Sequence, residues 1–113
     1  MATGSMTTME VKKINKHNIY TFIHEQRHTS KQKIVDMLHI SLSTVTHNLK
    51  LLEEEGLVHR TGYYQSTGGR KAYNFEIVKD ARVAVGIDIL KDCIHIVAVD
   101  LYGMVIKKSK HAL

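Results

Sequence analysis

The sequence predicts an α+β fold in which three helices lead into a β-hairpin and a further run of strands. Three observations predict it. Apolar residues recur at helical spacing as far as Leu52, and the texture then changes to strand-like runs between Leu57 and Ile77. Hydroxyl residues stand where helices need amino-terminal caps, at Thr29-Ser30 and at Ser41. Glycines at 56, 68, 69 and 103 supply the punctuation in a chain that has no proline.

The first helix is expected from about Val11 to Gln26. Ile19, Phe22 and Ile23 share one of its faces, and Lys12, Lys13 and Lys16 precede that face and are expected at the surface. The second is short and carries Ile34, Val35 and Leu38. The third follows Ser41, with Leu42, Val45, Leu49 and Leu52 forming one apolar stripe before Gly56 stops it. Leu57 to Tyr63 reads as a strand, Ser66 to Lys71 as a flexible basic turn, and Tyr73 to Ile77 as a half-buried strand. Three helices and a hairpin in this order make a winged helix-turn-helix.

A second unit begins near residue 80. Val83 to Ile89, Ile94 to Leu101 and Met104 to Lys108 read as strands, with a hairpin turn at Tyr102-Gly103. Their nearly continuous apolar character belongs to strands covered on both faces. Left bare, they are expected to pair with a second chain or to drive association. The expected organisation is therefore a disordered or leader segment over 1–9, a winged domain over 10–79 and a β-strand segment over 80–113.

Composition narrows the partners. A formal net charge of +5 favours a polyanion. The single cysteine, Cys93, excludes an internal disulfide and suits a reducing, cytoplasmic setting. The chain has no apolar run long enough to span a membrane as a helix. Cys93 and His95 fall in a strand pattern without metal-ligand spacing, so a buried thiol and an edge-strand histidine are expected, with no metal and no cofactor.

The third helix carries the chemistry. At about 100° per residue, its leucines and Val45 face the other helices, while Ser43, His47 and Lys50 face away, with Thr44 and Thr46 on the flanks. Small hydroxyls, an imidazole and a cation can donate and accept towards base edges and phosphates. The carboxylates are held back to Glu53, Glu54 and Glu55. A polar face of this kind also serves a merely solvated helix. The short preceding helix and the basic hairpin tip favour double-stranded DNA. Ser30 and Lys31 stand at the start of the second helix, and Arg70 and Lys71 sit beside glycines that permit close backbone approach. The DNA-contacting set is thus Ser30, Lys31, Ser43, Thr44, Thr46, His47, Lys50, Arg70 and Lys71.

Ser41-Leu42-Ser43-Thr44-Val45-Thr46-His47, Leu52-Glu53-Glu54-Glu55-Gly56-Leu57-Val58 and, most specifically, Ser66-Thr67-Gly68-Gly69-Arg70-Lys71 resemble the reader helix and wing of the ROK repressors, of the xylose-repressor type. Val85-Gly86-Ile87-Asp88-Ile89 and Val99-Asp100-Leu101-Tyr102-Gly103 resemble the start of that family's actin-like, sugar-kinase-like ATPase domain. The likeness covers residues 12 to 110. It implies a sugar-utilisation repressor that reads inverted repeats as a homodimer. A sugar effector is expected only in a full-length relative.

Two departures stand out. His39 replaces the family's usual turn glycine, and histidine is among the residues that best tolerate positive φ. Ile89-Leu90-Lys91-Asp92 stands where the family's kinases carry a glycine pair after Asp88, so no phosphate cradle and no enzyme activity are expected. The competing reading is a winged-helix protein-interaction module that does not bind DNA.

Overall fold

The computed structural model describes residues 7–64 and 71–113, with Tyr64 described in its backbone alone. The chain forms two compact units, Met1–Ile77 and Val78–Leu113. The first contains α1 (Thr8–Gln26), α2 (Lys31–Leu38), α3 (Leu42–Glu54), β1 (Val58–Tyr64) and β2 (Ala72–Ile77). The second contains β3 (Ala84–Ile89), β4 (Cys93–Val99) and β5 (Val105–Ala112).

Each helix is capped by a hydroxyl. Thr7 Oγ1 accepts from the Glu10 N–H at 3.1 Å, which starts α1 at Thr8 rather than near Val11 and makes two residues of the expected leader helical. Ser30 and Ser41 cap α2 and α3 by accepting from the Lys33 and Thr44 amides. Between α2 and α3, His39 sits in the left-handed region at φ 54° and ψ 42°, and its N–H donates to the Val35 carbonyl at 3.0 Å. The turn keeps its geometry without glycine.

Ile19, Phe22 and Ile23 of α1 meet Ile34 of α2 and Val45, Leu49 and Leu52 of α3, with Val58, Phe75 and Ile77 closing the core from the hairpin. Each such side chain contributes about 1.5–3 kcal/mol on burial. Leu42 corrects the expected stripe: it is 52% exposed, because it occupies the first position of α3. Asn48 is buried instead, and its Nδ2 donates to the Thr44 carbonyl at 2.9 Å, so the buried amide is partnered.

β1 and β2 pair antiparallel, Val58 with Ile77 through to Tyr64 with Ala72. Thr29 adds a short third element: its N–H and carbonyl both bond to Phe75, at 3.2 and 2.8 Å, and so tie the start of α2 to the wing. Between Arg60 and Tyr63 the register slips where β1 carries an extra residue, and Gly62 adopts φ 120° there.

In the second unit the strands are antiparallel in the order β3-β4-β5. The β4–β5 turn is built on Asp100, whose Oδ1 accepts from the Tyr102 and Met104 amides at 2.8 and 3.0 Å. Gly103 supplies the positive φ of 80°. Cys93 is buried as expected. His95 is not an edge residue: β4 is the central strand, and His95 lies half-buried on it. β3 is exposed along its whole length, with Val85, Ile87 and Ile89 between 59% and 71% exposed.

Candidate nucleic-acid interface

α3 presents a polar face held rigidly from behind. Val45, Leu49 and Leu52 anchor it, and Ser43, Thr46, His47 and Lys50 are exposed on the opposite side, with Thr44 half-buried at the flank. The leading end is organised by hydroxyls. Ser41 Oγ donates to Thr44 Oγ1 at 2.9 Å and lies 3.3 Å from Ser43 Oγ.

The carboxylates at the trailing end are largely answered by cations from outside the helix. Glu53 pairs with Arg60 of β1, Nε to Oε2 at 3.1 Å, and Glu55 pairs with Lys16 of α1. Their charge is thereby compensated near the face that would meet a polyanion.

A groove of about 670 Å³ borders α3 on the α2 and wing side, lined by Ser30, Lys31, Lys33, Leu42, Lys71 and Tyr73 among others. Lys31 and Lys71, far apart in sequence, are brought to one concavity. Ser30 differs from expectation. It is 6% exposed and its Oγ is occupied by the cap at 3.2 Å, so its side chain holds α2 in place rather than reaching outward. Arg70, like Gly68 and Gly69, lies outside the described residues.

The wing carries a ladder that the sequence reading missed. Arg60 stacks over Tyr73 at 4.7 Å, Tyr73 stacks on Tyr63 with ring centroids 5.4 Å apart, and Lys71 Nζ lies 5.4 Å from the Tyr63 ring. With the Glu53 pair, this chain of contacts runs from α3 to the base of the hairpin tip. Alternation along β1 places residues 60 and 63 on opposite faces, and the bulge at Gly62 brings them to one. On the other face Thr61, Asn74 and Glu76 form a polar cluster, Thr61 Oγ1 donating to Glu76 Oε2 at 2.6 Å.

Among the described residues, no group of three or more His, Cys, Asp or Glu side chains converges as a metal site. No helix among them is long and apolar enough to cross a membrane.

The MarR family pattern matches residues 14–62, which span α1 to the start of the wing. A protein named putative xylose repressor from Caldicellulosiruptor sp. (strain Rt8B.4) is 32% identical over 91% of this chain and 26% of its own length. The xylose repressor of Bacillus spizizenii is 33% identical over 91% of this chain and 27% of its own length. That of Bacillus subtilis is 32% identical over 85% and 25%. The chain thus spans about a quarter of the length of the relatives it matches.

A solved structure described as a ROK family transcriptional regulator, homolog of the E. coli MLC protein, superposes with a TM-score of 0.66 at 18% identity. It covers 91% of this chain and 26% of its own, and shows the shared fold. Sequence likeness to the xylose repressors thus runs across both units, the winged helix-turn-helix and the antiparallel strands that follow it, and the chain shares its fold with the ROK family regulator.

Proposed function

We propose that the chain is the DNA-binding portion of a transcriptional repressor of sugar-utilisation genes. The observation that carries this is the exposed α3 face. Ser43, Thr46, His47 and Lys50 are presented together on a helix whose back is locked into the core. In a major groove, Ser43, Thr44, Thr46, His47 and Lys50 contact base edges and the nearest phosphates. Lys31 meets the phosphate backbone beside α2. Lys71 and Arg70 carry the wing to an adjacent groove or phosphate.

The reading extends to a homodimer on inverted repeats, acting in the cytoplasm and catalysing no reaction. The bare apolar strand β3 supports association between copies. The relatives' names support repression of xylose genes as the biological setting. Selection of bound duplexes from a random pool with the purified chain tests the proposal. Enrichment of one motif, repeated in inverted orientation, is the expected result. A pool that stays random overturns it.

A further inference from the structure

The facing stripe of α1 changes chemistry halfway along. Its carboxyl half buries Ile19, Phe22 and Ile23. One to three turns earlier the same stripe carries Lys16, Asn15, Lys12 and Thr8. These residues line a groove of about 520 Å³ whose far wall is Ser43, Thr44 and His47 of α3. Lys16 is satisfied by Glu55. Lys12 and Lys13, both exposed, form no ion pair among the described residues. Among the described residues the groove lining holds three lysines and no carboxylate, beside the apolar Met9, Val11 and Leu51.

Exposed lysines gathered beside the reader helix, two of them without an ion-pair partner among the described residues, give that side a positive potential that attracts a polyanion. The position identifies which one. α3 already has lysines on its other edge, Lys31, Lys33 and Lys71, in a groove that also holds the single carboxylate Asp36. The major groove is bordered by a row of phosphates on each side. We infer that Lys12 and Lys13 of α1 contact the phosphate row on the α3 edge opposite the wing. The reader helix is thus clamped between two cationic walls. This rests on the DNA-binding reading above and adds to it a contact that no base sequence dictates.

The test uses the whole chain with a fluorescent duplex of the selected sequence and a scrambled duplex of equal composition. The Lys12→Gln/Lys13→Gln variant should bind both duplexes more weakly by similar factors, because phosphate contacts carry no sequence information. The slope of log affinity against log salt should become shallower by about 1.8, at roughly 0.9 per lost contact. Between 50 and 200 mM salt, the variant should therefore lose roughly twelvefold less affinity than the parent chain. The Lys12→Arg/Lys13→Arg variant should keep the parental slope. An unchanged slope in the glutamine variant overturns the inference while leaving DNA binding intact. So does lost discrimination between duplexes at constant slope, which marks a structural effect on α3. A parent chain that binds neither duplex removes the underlying reading as well.

Discussion

Arg60 is the side chain whose removal should loosen the wing from the reader helix. It holds Glu53 of α3 through Nε at 3.1 Å and through a longer contact at 3.4 Å, and it covers the Tyr73 ring at 4.7 Å. Both members of the ion pair are partly solvated, at 47% and 27% side-chain exposure. Water and salt screen such a pair, so it is worth about 0.2–1 kcal/mol. A cation over an aromatic face at a solvated site adds about 0.5–1 kcal/mol. Arg60→Ala should therefore cost about 1–2 kcal/mol. At about 4–8 °C per kcal/mol for a domain of this size, the melting temperature should fall by roughly 5–15 °C.

Thermal unfolding followed by tyrosine near-ultraviolet dichroism, which reports on the Tyr63–Tyr73 stack, measures this directly. A double-mutant cycle with Glu53→Ala should return a positive coupling that shrinks in high salt. The Arg60→Lys variant should recover only part of the loss, since an ammonium lacks the planar fork. A melting curve for Arg60→Ala superimposable on the parent's, or fully additive Glu53 and Arg60 effects, would refute the ladder as a structural strut.

Other substitutions probe the remaining parts. Ser41→Ala removes the α3 cap and should cost about 1 kcal/mol in denaturant unfolding. His39→Val should destabilise markedly, because a β-branched residue at φ 54° is strained, whereas His39→Gly should be neutral or mildly stabilising. Lys50→Ala should weaken binding to the selected duplex by about 1–3 kcal/mol, and more than to a scrambled one, if it reads a base. Ile87→Lys, at a position 63% exposed, should leave the melting temperature nearly unchanged while lowering the mass seen by light scattering at high concentration.

The helices were legible because burial imposes its period on the sequence. Ile19, Phe22 and Ile23, and Val45, Leu49 and Leu52, repeat at helical spacing and are all buried. The same period put Ser43, His47 and Lys50 outward. Leu42 failed because periodicity specifies a direction but not whether a neighbour lies there, and at the first turn of α3 none covers it. Ser30 was legible as a cap, and the cap is what withdraws its hydroxyl from the surface. The Arg60–Tyr73–Tyr63 ladder was hidden by the bulge at Gly62, which shifts the alternation by one residue. His95 was misplaced because alternation gives the face of a strand but not the order of strands in the sheet.

The most direct test of the reader-helix account is an amide chemical-shift titration of the labelled chain with a selected duplex. The largest perturbations should fall on Ser43, Thr44, Thr46, His47 and Lys50, with a second group at Lys31 and Lys71, and β3 should be silent. Perturbations confined to β3–β5, or none at saturating duplex, would contradict it.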